Sequence, residues 1–230
     1  MSYKIKLLAL LFISTAMTAF SQEALNENAK KKLFTKPSLI IDFGMGTYKV
    51  STNSVSNTSI SNLETKKGLH FNLSAGVRFD FNNKFYFQPS LGYSQKQYDF
   101  KFISKADNVL YPLDFSDISL YYFDLPILFG YKIITYKDLN IWCSFGPVVS
   151  VLMSEDISYH RIGGIDDNKS TAVTEVDFER SLFNISGECS VGLEYYKLRL
   201  SVSYIYENSS SSDYFGTSKS FITTIGFIIN

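Results

Sequence analysis

Residues 68–81 read GLHFNLSAGVRFDF, and they alternate almost without error. Leu69, Phe71, Leu73, Ala75, Val77, Phe79 and Phe81 fall on one face, and His70, Asn72, Ser74, Gly76, Arg78 and Asp80 on the other. A period of two is the signature of a β-strand, because successive side chains of an extended backbone point to opposite sides. Which of the two faces meets the interior decides what kind of protein this is.

The same alternation recurs along the chain. Besides residues 68–81, strands are predicted at Ser38–Val50, Lys84–Ile103, Ile118–Ile133, Asp138–Met153, Leu182–Tyr195, Lys197–Glu207 and Phe221–Ile229, an even total of eight. The composition agrees: 230 residues carry 20 Phe and 16 Tyr, with 16% aromatics overall, a bias that favours strands. Long polar connections, 51–67, 104–117, 154–180 and 208–220, alternate with short ones at Asn82-Asn83, Thr135–Asp138 and Tyr196-Lys197. Antiparallel neighbours joined in this way place all long loops at one end and all short turns at the other, the layout of an up-and-down transmembrane barrel with external loops and periplasmic turns.

The N-terminus supports export. Lys4 and Lys6 precede the apolar run LLALLFISTAMTAF (7–20), followed by Ser21 and Gln22, the charged, apolar and small-residue zones of a secretory signal. Residues 1–21 are therefore expected to be a Sec-type signal cleaved near Ser21, 22–37 a polar periplasmic lead, and 38–230 the barrel. The apolar run is shorter than the roughly 20 residues a membrane helix needs. Loss of Lys4 and Lys6 leaves 20 basic against 22 acidic residues. That balance, with no basic stripe, argues against binding nucleic acid. Cys143 and Cys189 both fall on apolar faces, where a free thiol behaves as a small hydrophobe, so no disulfide is expected.

Volume selects the inward face. The apolar face collects about 45 positions over eight strands, many of them Phe, Tyr, Leu or Ile. An eight-stranded interior is barely wide enough for side chains to fill. The small and polar face, with Gly44, Gly76, Ser90, Gly92, Ser94, Gly130, Ser144, Ser190, Gly192, Ser201 and Ser203 among its members, fits such a lumen. Asp42, Arg78, Asp80, Asp124, Lys132, Glu188, Glu194, Arg199 and Glu207 share that face. They are expected to form a lumen polar network, since an unpartnered buried charge is costly. The apolar face then meets lipid. Phe79, Phe81, Phe85, Tyr131, Tyr136, Trp142 and Tyr195 near the short turns, and Tyr93, Tyr121, Tyr204 and Phe221 towards the loops, are expected to form interfacial girdles. The competing architecture is a soluble barrel with its apolar face around a ligand.

The signal ending FSQ (20–22), YYFDLPILFGYKI (121–133), IWCSFGPVVSVLMS (141–154) and FNISGECSVGLEYYKLRLSVSYIY (183–206) together resemble the outer-membrane β-barrel domain proteins of Bacteroidetes, the PorT-like group. The resemblance spans Ser38 to Asn230 and implies an eight-stranded barrel in the outer membrane of a Gram-negative bacterium. Many members of the group have no assigned activity, and PorT itself is associated with type IX secretion.

Chemistry is sparsely signalled. His70 and His160 are the two histidines, and no spacing links either to a nucleophile and an orienting carboxylate. The acidic stretch Gly163–Glu179 offers oxygen ligands but lacks the register of a calcium loop. No phosphate-binding, zinc or dinucleotide motif occurs, and no cofactor is expected. The expected role is non-enzymatic, structural or binding, with outer-membrane lipid around the barrel and a protein partner at the extracellular loops or periplasmic turns. The alternatives are a small ion channel, a hydrolase using His70 or His160, and the soluble ligand-binding barrel.

Overall fold

The computed structural model describes residues 37–52, 60–81, 84–106, 109–161, 182–208 and 215–229, with the backbone alone at 52, 60–64, 100–106, 109–117, 157–161 and 215–216. The predicted signal peptide, residues 22–36 of the lead, the acidic stretch 163–179, the Asn82-Asn83 turn and Ser209–Ser212 lie outside the described residues.

Nine strands are present: β1 (Ser38–Thr52), β2 (Ile60–Thr65), β3 (Gly68–Asp80), β4 (Phe85–Ala106), β5 (Val109–Tyr136), β6 (Leu139–Arg161), β7 (Phe183–Tyr195), β8 (Leu198–Asn208) and β9 (Phe215–Ile229). They form one antiparallel sheet in the order β2-β4-β3-β1-β9-β8-β7-β6-β5, and an additional β4–β5 pairing closes it. The ninth strand does not add a stave. β3 pairs with β4 as far as His70↔Lys96, and β2 takes over the same flank of β4 from Thr65↔Phe100 onwards. Lys66 N donates to Asp99 O at 3.0 Å between them. The result is a closed eight-stranded barrel, the form that pairs backbone groups where no water can.

Three expectations about the connections are corrected. In the stretch 104–117, read as a polar loop, residues 104–106 and 109–117 are strand: β4 and β5 stay paired up to Ala106↔Val109. β6 likewise continues to Arg161, opposite Leu113 of β5, and β2 lies inside the first long connection. Polar residues in this stretch suggested a loop, but a hairpin standing clear of the membrane needs no apolar face. The short turns at Lys137-Asp138 and Tyr196-Lys197 match expectation, with positive φ at Lys137 (51°) and Tyr196 (54°), the conformation that tight hairpins require.

The faces lie as the volume argument demands. In β3, β7, β8 and β9 buried and exposed residues alternate, and the exposed set is apolar: Leu69, Leu73, Ile185, Val191, Leu193, Leu200, Val202, Ile225 and Phe227. The soluble-barrel alternative, which needs these residues inside, is overturned. Cys143 and Cys189 are free thiols.

The wall is not uniform. The ladders β6–β7, β7–β8 and β8–β9 run without a break. The β3–β4 ladder skips from Gly76↔Ser90 to Phe79↔Phe87. The β4–β5 ladder skips from Pro89↔Ile127 to Gly92↔Asp124, and β5–β6 from Pro126↔Val148 to Phe129↔Phe145. Each gap omits one pair containing a proline, respectively Pro89, Pro126 and Pro147. The register is the same on both sides of every gap, so the cause is the missing proline N–H. A seam of reduced pairing thus descends across three consecutive ladders, from β3 to β6.

Candidate functional site: the polar lumen

The lumen side chains gather in two clusters. Towards the short turns, Arg78 on β3 donates from Nη1 to Glu194 Oε1 on β7 at 2.5 Å, and its Nε lies 3.7 Å from Asp80. Lys132 on β5 meets the same Asp80 at 3.1 Å. Arg199 on β8 donates from Nη1 to Gln88 Oε1 on β4 at 2.7 Å, with Asp42 at 3.7 Å and Glu194 at 3.9 Å. The Arg199 guanidinium lies 3.9 Å from the centre of the Trp142 ring, close enough for a cation–π contact. Tyr86 stands edge-on to Trp142 at 6.2 Å, and Arg78 lies 5.5 Å from the Tyr86 ring centre.

Trp142 corrects the girdle expectation. It is 0% exposed and points into the lumen, because its register partners Lys132 and Gly192 belong to the inward parity. Two glycines make this packing feasible. A Cβ on Gly192 would come within 2.4 Å of Trp142, and one on Gly130 would strike the Tyr86 ring. The remaining predicted girdle residues with exposed side chains, Phe81, Phe85, Tyr93, Tyr136, Tyr195 and Phe221, do face outward.

Nearer the long-strand end, Lys96 on β4 donates to Glu207 on β8 at 2.7 Å, and Asn184 also donates to Glu207. The Lys96 ammonium sits 4.4 Å from the Tyr122 ring centre and 5.6 Å from that of Tyr48. His70 Nδ1 and Ser220 Oγ are 2.8 Å apart, with Tyr48 edge-on to the imidazole. Between the clusters, Glu188 accepts from Ser190 Oγ at 2.8 Å. Asp124 faces Gly92 and Ser150 in register and interacts electrostatically with Lys96 of this second cluster.

Of the nine charges singled out from sequence, the structure thus brings Asp42, Arg78, Asp80, Lys132, Glu194 and Arg199 into one cluster, places Glu207 and Asp124 beside Lys96 in the other, and leaves Glu188 between. Lys96 was missed, although its even-numbered position alongside Ser90, Gly92 and Ser94 already assigns it to the lumen face. Gln88, Asn184 and the inward aromatics Tyr48, Tyr86, Tyr122 and Trp142 were missed too. The side chain of His160 is not described.

These groups leave little space. The cavity between the clusters, lined by Asp42, Asn72, Gln88, Glu188, Arg199 and Ser203 among others, holds about 40 Å³, room for about one to three water molecules. Among the described residues no three His, Cys, Asp or Glu side chains group to hold a metal ion.

The family model agrees with this architecture. The chain belongs to the family described as outer membrane protein beta-barrel domain, whose model matches residues 16–209, and its place is the outer membrane of a Gram-negative bacterium. Among solved structures it is similar to neisserial surface protein A, at 11% identity, TM-score 0.46, covering 85% of this chain and 97% of that one. It is also similar to the outer membrane protein OprG from Pseudomonas aeruginosa, at 11% identity, TM-score 0.47, 87% and 100%, and to the outer membrane enzyme PagL, at 9% identity, TM-score 0.44, 81% and 97%. No curated protein matches the sequence.

Proposed function

We propose that this protein is a non-conducting, non-enzymatic outer-membrane barrel that acts as a structural or binding element through the strands and loops raised above its outer rim, towards a protein partner. The observation that carries this reading is the plugged lumen: Arg78, Glu194, Arg199, Gln88 and Trp142 span it from opposite walls and leave about 40 Å³. The outer end supports it as well. A transmembrane strand needs roughly 9–11 residues, whereas β4, β5 and β6 have 22, 28 and 23, so the excess stands outside the membrane where binding specificity resides. His70 is buried at 1% exposure against Ser220 and Tyr48, out of reach of a lipid or peptide substrate. Within the family we assign the chain to the Bacteroidetes PorT-like group on the segments 121–133, 141–154 and 183–206, with signal cleavage after Ser21 and a short periplasmic lead.

Single-channel recording in a planar bilayer tests the central claim. The wild-type protein is expected to give a silent trace. A double variant, Arg199→Ala with Trp142→Ala, checked for folding by heat-modifiable migration, is expected to give small cation-selective steps, because losing Arg199 widens the excess of carboxylates over cations already present in the lumen. Steady conductance from the wild type would overturn the reading in favour of a channel.

A further inference from the structure

The outer wall carries an apolar groove of about 290 Å³ at the level of the seam. Its lining residues are Ile41, Leu73, Ser74, Ala75, Leu91, Gly92, Tyr93 and Phe123. The register explains the shape. Ile41, Ala75 and Leu91 form one outward row across β1, β3 and β4, and Leu73, Tyr93 and Phe123 form the next across β3, β4 and β5. Ala75 is the one small side chain in either row, so the surface dips over it while Leu73, Tyr93 and Phe123 stand as a bank. The seam runs beneath: the β4–β5 ladder is unpaired at Ser90-Leu91 opposite Leu125-Pro126. Ser90 and Leu91 are therefore not paired with β5 at the lower edge of the groove, whereas Gly92↔Asp124 and Tyr93↔Phe123 hold the bank in register just above it.

We propose that this groove is a binding site for one acyl chain of a membrane lipid. The occupant follows from where the groove lies. Leu73 and Tyr93 are about half exposed on the outward face, and Ala75 sits between the two ends of β3, so the groove is continuous with the lipid-facing surface and its lining is apolar. A chain lying over Ala75 fills a dent that would otherwise forfeit dispersion contacts. The polar lumen cavity on the other side of the wall, lined by Ser74, Ser90 and Pro126, is too small to receive it, so the chain lies on the wall and does not pass through.

The test is photolabelling of the intact protein. The folded full-length barrel is reconstituted in phosphatidylethanolamine–phosphatidylglycerol vesicles containing a trace of phosphatidylcholine with a mid-chain diazirine, irradiated, and mapped by peptide mass spectrometry. Labelling is expected to concentrate at Leu73, Ala75, Leu91, Tyr93 and Phe123, several-fold above Val191 on β7 and Val202 on β8, on the opposite wall. Ala75→Phe fills the dent from the lipid side, and it is expected to reduce labelling to the level of that wall while keeping heat-modifiable migration. A second variant, Pro126→Val, restores a ladder donor beneath the groove without touching its surface, and is expected to lower labelling partially. Even labelling around the barrel would overturn the proposal, as would undiminished excess labelling in Ala75→Phe. Cross-links between two copies through this face would overturn it too, by making the occupant a second chain.

Discussion

The β7–β8–β9 wall and the β4–β5–β6 wall solve the same problem differently. The first is short, unbroken and regular; its ladders hold every strand to its neighbour. The second is long, crossed by two proline gaps, with a third on its flank against β3, and by register shifts at Tyr98/Phe100, Ser116/Ser119, Tyr121/Tyr122 and Lys132/Ile134. In hydrocarbon a backbone group without a partner costs several kcal/mol, so the second wall is expected to be the weaker one. What compensates crosses the lumen. Arg199 on β8 holds Gln88 on β4, and Glu207 on β8 holds Lys96 on β4. Arg78 on β3, at the border of the seam, is held by Glu194 on β7. The regular wall braces the interrupted one through charge-assisted hydrogen bonds, which are stronger than neutral ones and directional. On this view the lumen network is a brace as much as a plug.

The strongest attempt to break that comparison is Arg199→Ala. It frees Gln88 and leaves Asp42 and Glu194 with one cation fewer, and breaking a buried pair costs about 3–5 kcal/mol. Urea unfolding in vesicles, followed through the fluorescence of Trp142, the only tryptophan, should show this loss. Hydrogen exchange should accelerate in β4–β6 more than in β7–β9; equal acceleration in both walls would mean that the network does not brace the seam. Lys96→Met is milder, because Glu207 keeps Asn184. A loss of about 2 kcal/mol is expected, the size of a hydrogen bond to a charged group, with faster exchange confined to the upper part of β4. Pro126→Val should act in the opposite direction. Restoring one ladder hydrogen bond is worth about 1 kcal/mol, and exchange near Leu91 and Leu125 should slow; no slowing would show that the gap has a cause other than the proline.

Much of this was legible in the chain. Alternation in GLHFNLSAGVRFDF separates Arg78 and Asp80 from Leu73 and Phe79 with no structural information, and the same parity assigns Lys96 to the lumen. Trp142 was misread because an apolar aromatic near a turn fits a girdle by type, while only its register against Lys132 and Gly192 sets its direction. The extension of β4, β5 and β6 was hidden by polar residues such as Ser104, Asp114 and Ser116. Outside the membrane both faces of a strand meet water, so the two-residue hydrophobic signal disappears. The seam could be suspected from Pro89, Pro126 and Pro147, but their gaps align across neighbouring strands only once the register is known.

The amino-acid sequence by itself determined the number of staves, the two faces of each and the lipid-facing side, because side-chain direction in an extended chain is a local, period-two property. The tertiary structure alone decided that Arg199 reaches Gln88 and that Arg78 reaches Glu194. Such meetings depend on the tilt and stagger with which eight strands close, and no single strand carries that information.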